Sequence, residues 1–222
     1  MNANAAKSGS GATIALIIVI VCVLLAKGTG SPSTSTSSRH QGLQNVQAAP
    51  TIAAIPASHV DRIYQLDPGQ YRSSQDYNTW APSACSATSM AEVINSYGHS
   101  YRIADILKVE AGLGQITPEL GLLEPTGIDK TVDKFGFQTV HLSHPSIDDI
   151  IVIANQKHPV IVSFPPELWT GGHILVVVGG DSRTISLADS SSFNMTIVPW
   201  TKFLKYWGGF AVVVTPRQGG AA

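Results

Sequence analysis

Residues 82–98 read PSACSATSMAEVINSYG and have the pattern of an amphipathic helix with a cysteine in its first turn. Apolar side chains recur at three- and four-residue steps and share one face: Ala87, Met90, Ala91, Ile94 and Tyr97. Ser83 suits the N-cap position, and Gly98 suits the left-handed conformation that follows many helices. Cys85 therefore falls at a helix N-terminus, which favours the thiolate, the nucleophilic form of cysteine. On this stretch alone, a small buried structural residue is an equally good interpretation of Cys85.

The composition indicates one globular domain with appendages. The chain has 222 residues, a formal net charge of -1 and 13% charged residues, so it lacks the basic surplus typical of nucleic-acid-binding proteins and no such partner is predicted. Its two cysteines are Cys22, inside an apolar N-terminal run, and Cys85. The rest of the chain therefore forms no internal disulfide, and a catalytic role would explain the single thiol.

The N-terminal part of the chain predicts a membrane segment and a linker. Residues 12–27 (ATIALIIVIVCVLLAK) form an apolar run after a polar tail, residues 1–11. Its length lies between the about 20 apolar residues of a spanning helix and the about 7 to 15 of a signal-peptide core. We favour a retained single-pass membrane anchor, with a cleaved signal peptide and secretion as the alternative. Residues 28–58 are rich in Ser, Thr and Pro, which predicts a disordered linker to a domain outside the cytoplasm.

The globular domain is predicted to span residues 59–216, followed by a C-terminal tail, residues 217–222. Residues 63–66 have the pattern of an edge strand, and residues 71–81 that of a loop. Helical patterns then precede four strand patterns, at 160–164, 173–178, 184–189 and 210–215. Helices followed by a strand meander are typical of α+β proteins rather than of βαβ units. We expect one antiparallel sheet, on which the helix with Cys85 packs through Met90, Ala91 and Ile94.

Two polar residues stand at the ends of adjacent predicted strands. His173 opens the most apolar strand, and Asp189 ends the next one. If the hairpin turns about Gly180 and Asp181, His173 faces Ala188 and lies beside Asp189, since facing residues are roughly 5 Å apart. A carboxylate that orients an imidazole, which in turn activates a thiol, is the general arrangement of a nucleophilic triad. Each residue alone would be structural, but their joint placement favours function.

These segments resemble the papain-fold cysteine peptidases of the double-glycine leader, or bacteriocin-processing, type. The matching features are a Gln ahead of the nucleophile, a Cys at a helix start, a Gly-His strand start and an Asp that ends the next strand, here Gln75, Cys85, Gly172-His173 and Asp189. The resemblance covers most of residues 75–215. It implies a papain-like fold, a Cys-His-Asp triad that cleaves a peptide bond in a peptide or protein substrate, Gln75 as the oxyanion donor and no cofactor.

Two departures from the family pattern leave alternatives open. Ser86 stands where the family has Gly after the nucleophile, and Gln75 lies farther from Cys85 than the family's Gln does, so Asn78 is an alternative oxyanion donor. The departures motivate a domain that binds its partner without turnover. The same triad would also serve an amidase or acyl transferase with a different substrate. No two of the other histidines share a metal-ligand spacing with Cys85, so no metal site is predicted.

Overall fold

A six-stranded antiparallel sheet organises the part of the chain that the computed structural model describes, residue 52 and residues 55–218. A short 3-10 turn, Pro68–Gln70, precedes six helices: α1 (Ser74–Trp80), α2 (Cys85–Asn95), α3 (Ile103–Gly112), α4 (Thr126–Asp133), α5 (Ile147–Asn155) and α6 (Trp200–Tyr206). The strands are β1 (Ile116–Thr117), β2 (Gly121–Leu122), β3 (Phe137–His141), β4 (Val160–Phe164), β5 (His173–Gly180), β6 (Thr184–Ala188), β7 (Ile197–Pro199) and β8 (Ala211–Pro216).

The order of the strands confirms the α+β prediction and the central part of the sheet. The six-stranded sheet runs β3-β8-β4-β5-β6-β7, and every neighbouring pair is antiparallel. The four predicted strands are therefore adjacent, and β3 and β7 add the two edges. β1 and β2 form a separate short hairpin, in a region where the sequence shows only turn signals.

Both faces of the central strands are buried, which explains their continuous apolar sequences. On one face, α2 packs with Met90 and Ile94 fully buried beside Val176 of β5, as predicted. On the other face, α5 and α6 cover Val177 and its neighbours. Burying one such large apolar side chain contributes about 1.5–3 kcal/mol, so the sheet and α2 form a stable base for any residue at the start of that helix.

Three local predictions near Cys85 were wrong. Residues 63–66 form no strand, and residues 71–81 contain α1, whose N-cap Ser73 accepts a hydrogen bond from the Asp76 N–H. α2 begins at Cys85 and has no side-chain cap. Ser83 does not cap it because its hydroxyl and its N–H both donate back to the Trp80 carbonyl.

The structure corrects the predicted single-pass membrane location, because none of the described helices is long enough to span a bilayer. Within residues 55–218, no helix is long and apolar enough to cross a bilayer. The longest, α2, has 11 residues and extends about 17 Å, against a hydrocarbon core of about 30 Å. The predicted anchor at 12–27, the tail at 1–11 and most of the linker at 28–58 lie outside the described residues. The domain limits at 59 and 216 stay a prediction.

Candidate active site

Cys85 is the first residue of α2 and lies half-buried at the edge of a cavity. No side chain caps this helix, so its first N–H groups have no side-chain acceptor and the positive end of the helix dipole is directed at the thiol. The Ser89 hydroxyl, one turn further along, donates to the Ile174 carbonyl at 3.2 Å. This bond fixes the start of α2 against β5, next to His173.

His173 and Asp189 meet, although not in the predicted register. The β5–β6 turn is centred on residues 182 and 183, because Gly180 faces Ile185, and not on Gly180 and Asp181 as predicted. A bulge between Val177 and Gly179 then shifts the ladder back by one residue, so Val176 faces Ala188, and by continuation Leu175 faces Asp189. His173 is thus a diagonal neighbour of Asp189 and does not face Ala188. Diagonal positions about 7–8 Å apart are within reach of long side chains. The imidazole Nε2 lies 2.8 Å from Asp189 Oδ1, which leaves Nδ1 as the ring nitrogen available to Cys85.

The Asp189 carboxylate is fully buried and accepts hydrogen bonds from two sides. The backbone N–H of Ser191 donates to Oδ1 at 2.9 Å, and that of Met195 donates to Oδ2 at 2.8 Å. Burial alone raises the pKa of Asp189, but the hydrogen bonds from His173, Met195 and Ser191 outweigh it and hold the pKa well below its usual range. The carboxylate is therefore charged at neutral pH.

His173 is 7% exposed and carries a shifted pKa. Burial lowers the pKa of this imidazole, but hydrogen bonds to Asp189 and to Cys85 outweigh burial and raise the pKa to about 9. The ring is consequently held as imidazolium at neutral pH, beside a buried carboxylate and a thiol. This is the charge arrangement in which an imidazole stabilises a thiolate.

The cavity at Cys85 and His173 has a volume of about 840 Å³. Its walls include the β1–β2 hairpin and the segment after it, the turn that follows β4, Trp169 and Phe193. Leu120, at the hairpin, and Phe193 are 75% and 69% exposed, so the rim presents large apolar side chains to solvent. A cavity of this size and lining suits a short peptide segment. Within residues 55–218, no group of three or more His, Cys, Asp or Glu side chains could hold a metal ion.

The structure does not bring Gln75 to this cavity. Gln75 and Asn78 lie exposed on α1, whereas Gln65 is buried and lines the cavity. The Gln65 amide Nε2 donates to the Ala81 carbonyl at 2.6 Å, and its Oε1 accepts from the Ser190 hydroxyl at 3.2 Å. Gln65 was not predicted, because residues 63–66 have a strand pattern and the sequence does not reveal that α1 is inserted between Gln65 and Cys85.

Ser86, the departure that follows the nucleophile, is directed away from the cavity. Its hydroxyl donates to Oε1 of Glu110 on α3 at 2.7 Å, and both residues are fully buried. The other Glu110 oxygen has no hydrogen-bond partner among the described residues. Burial raises the pKa of Glu110 to about 7, against the opposing effect of the Ser86 bond. The hydroxyl of Ser86 thus serves a buried acid and does not fill the candidate site.

Glu110 should make the stability of the protein pH-dependent. Its folded pKa of about 7 exceeds its ordinary value of 4.5, so ionisation costs more in the folded state and stability falls as pH rises between those values. In urea titrations, wild type should lose on the order of 2 kcal/mol between about pH 5 and about pH 8 relative to Glu110→Gln. The exposed Glu167→Gln should behave as wild type. Identical pH profiles for wild type and Glu110→Gln would contradict the assignment.

Known proteins share the sequence pattern and the fold of this chain. The sequence model of a family described as "Peptidase_C39 like family" matches residues 58–213. The peptidase domain of Streptococcus ComA, a bi-functional ABC transporter, is 20% identical with a TM-score of 0.53, over 72% of this chain and 100% of that one. A putative C39-like peptidase from Bacillus anthracis is 16% identical with a TM-score of 0.50, over 73% and 98%. No curated protein matches the chain.

Proposed function

Because this chain belongs to the Peptidase_C39 like family, we propose that its globular domain is a cysteine peptidase that cleaves a peptide bond through Cys85, His173 and Asp189. The observation that carries the proposal is the buried 2.8 Å contact between His173 and Asp189, formed at a cavity that Cys85 also lines. A peptide or protein is the proposed substrate, since the volume and lining of the cavity suit a short extended segment with apolar side chains.

The proposed reaction has two steps. The Cys85 thiolate attacks the scissile carbonyl, and the His173 imidazolium protonates the leaving amine as the C–N bond breaks. The acyl group is then held as a thioester on the sulfur. In the second step His173, now neutral, takes a proton from water, and the hydroxide formed in that step breaks the thioester. The products are an amine and a carboxylic acid, and the thiolate–imidazolium pair is restored.

Asp189 supports both steps without exchanging a proton. Its charge offsets the imidazolium, and its bond to Nε2 keeps Nδ1 of His173 free for the thiol and the leaving group. The two backbone donors, Ser191 and Met195, hold the carboxylate in place. The role is therefore one of orientation and charge.

The oxyanion is proposed to bind to the backbone N–H of Cys85 and to the side chain of Gln65. The Gln65 amide has two hydrogens, and the bond to the Ala81 carbonyl uses one of them. The second remains for a substrate oxygen in the cavity that Gln65 lines. The bonds to Ala81 and Ser190 keep the amide from rotating, which an oxyanion donor requires.

The two glutamines form a matched pair for testing this donor. Gln65→Ala should reduce kcat about 100- to 1000-fold with little change in KM, because the bond strengthens as the oxyanion develops. Gln75→Ala should leave both constants unchanged, since Gln75 is exposed on α1. Steady-state kinetics on a cleaved peptide provides the measurement. An unchanged rate in Gln65→Ala, or a loss confined to Gln75→Ala, would reverse the assignment.

Product analysis tests the function itself. Full-length protein is incubated with a peptide library, and new amino and carboxyl termini are identified by mass spectrometry. The proposal predicts paired termini that disappear after the thiol is alkylated. A product in which an added amine replaces water indicates an acyl transferase, and release of ammonia without a new amino terminus indicates an amidase. Peptides that bind and stay intact would identify a domain without turnover and refute the proposal.

A further inference from the structure

Residues 57–66, which we name the strap, contain no helix or strand and are held by hydrogen bonds to separate parts of the domain. The Ile63 N–H donates to Oε1 of Glu92 on α2 at 2.9 Å. Two residues later, the Gln65 N–H donates to the Ser190 carbonyl at 2.9 Å. The strap thus joins the helix that begins with the candidate nucleophile to the loop that follows β6.

Arg62 of the strap binds the main chain of that loop at two points. Its Nε donates to the carbonyl oxygen of Asp189, and its Nη2 donates to the carbonyl oxygen of Ser191 at 2.7 Å. With the strap N–H that donates to Ser190, three consecutive carbonyls accept hydrogen bonds from the strap. The middle part of the strap therefore fixes the backbone from which the Asp189 carboxylate extends to His173.

The charged groups around Asp189 also favour an ionised carboxylate that is held against His173. Burial raises the pKa of Glu92 well above its ordinary value, against the opposing effects of the Ile63 N–H and of Arg62, which favours the uncharged acid. The guanidinium of Arg62 binds the backbone carbonyl of Asp189, and the imidazole of His173 contacts its carboxylate. Removing Arg62 would leave two backbone carbonyls of the loop without these donors, at a cost in free energy for each.

We propose that Arg62 is a positioning residue that holds Asp189, and through Asp189 the imidazole of His173, in the orientation required for turnover. The inference rests on the proposed peptidase function. Arg62 is not among the residues that line the cavity, so it acts through Asp189 and not on the substrate. The planar guanidinium fork spans two carbonyls at once, which the single ammonium of a lysine does not reproduce.

The test compares full-length wild type with Arg62→Met, Arg62→Lys and the control Arg183→Met. Arg183 is exposed in the turn of the β5–β6 hairpin, at the end opposite His173. Iodoacetamide is the probe, and mass spectrometry follows alkylation of Cys85 from about pH 5 to about pH 9. Thermal unfolding of each variant reports on the fold.

Near pH 6, native wild-type Cys85 should alkylate at least about tenfold faster than the same residue in urea, because His173 activates it. Arg62→Met should lower the native rate about tenfold, because a displaced Asp189 no longer holds the imidazole of His173 in place. Arg62→Lys should lie between the two, since it keeps the charge and loses the fork. Arg183→Met should match wild type.

Three results would overturn the inference. The wild-type alkylation rate in Arg62→Met does so even if its Tm falls, because a purely structural residue changes stability without changing the reactivity of Cys85. If Arg62→Met does not fold, the wild-type rate in Arg62→Lys does so instead. A wild-type protein whose native Cys85 reacts no faster than in urea contradicts the proposed peptidase, and the inference with it. The fast reaction of the native wild type distinguishes the first two results from this third one.

Discussion

Replacement of Cys85 by Ala should abolish peptide hydrolysis and leave the fold intact. The covalent step needs sulfur, and loss of a catalytic nucleophile costs about a million-fold in kcat in enzymes of this general kind. The side chain is small and half-buried at the cavity, so its truncation should change the free energy of unfolding by less than about 1 kcal/mol. Turnover and urea unfolding of the full-length variant provide the two measurements.

The chain offers a matched control in its other cysteine. Cys22→Ala makes the same chemical change in the apolar N-terminal run and should keep wild-type turnover. If Cys85→Ala hydrolysed peptides at the wild-type rate, the covalent mechanism would be excluded. Loss of activity accompanied by unfolding would contradict the prediction that the side chain contributes little to stability.

Replacement of Asp189 by Asn should reduce turnover about 10⁴-fold, less than the loss in Cys85→Ala. A neutral amide does not offset the imidazolium, and in either orientation its NH₂ group would face one of the two backbone N–H donors, Ser191 or Met195. kcat on a cleaved peptide provides the measurement. Asp181→Asn, in the exposed turn of the same hairpin, should not change kcat. Equal kcat for Asp189→Asn and wild type would remove Asp189 from the mechanism.

The same variant should change how stability depends on pH. The folded pKa of Asp189 lies below its unfolded value of about 3.9, so the carboxylate stabilises the protein above that pH. This contribution is lost as pH falls through the folded pKa. Asp189→Asn should therefore be less stable than wild type at neutral pH, and the difference should shrink in acid.

The central fold was predictable because its strands are buried on both faces. Residues of β4, β5 and β8 read as continuous apolar runs, and the apolar face of α2 repeats with helical spacing. The strands β1, β2 and β7 have only two or three residues each, too few to show a period. The start of α5 has a local sequence signal, because the side chains of Ser146 and Asp149 form a capping box.

The sequence places Cys85, His173 and Asp189 at a helix start and at strand ends, and their catalytic role stays a prediction. The contacts between them were not predictable in detail, because the β5–β6 turn lies about two residues later than predicted and a bulge shifts the ladder again. Both features depend on the local backbone and leave no apolar period in the sequence. Gln65 was missed for a related reason: an inserted helix separates it from Cys85 along the chain, and only the folded structure brings the two to one cavity.

We propose that His173 and the start of α2 activate Cys85 as a nucleophile. The rate of Cys85 alkylation by iodoacetamide near pH 6, measured in the native full-length protein and in urea, tests this proposal. An ordinary thiol is less than about 1% thiolate at that pH, whereas a thiolate paired with imidazolium is largely ionised. Native Cys85 should react at least about tenfold faster than the unfolded residue, after allowance for the lower nucleophilicity of a stabilised thiolate. A native rate equal to or below the unfolded rate would contradict it.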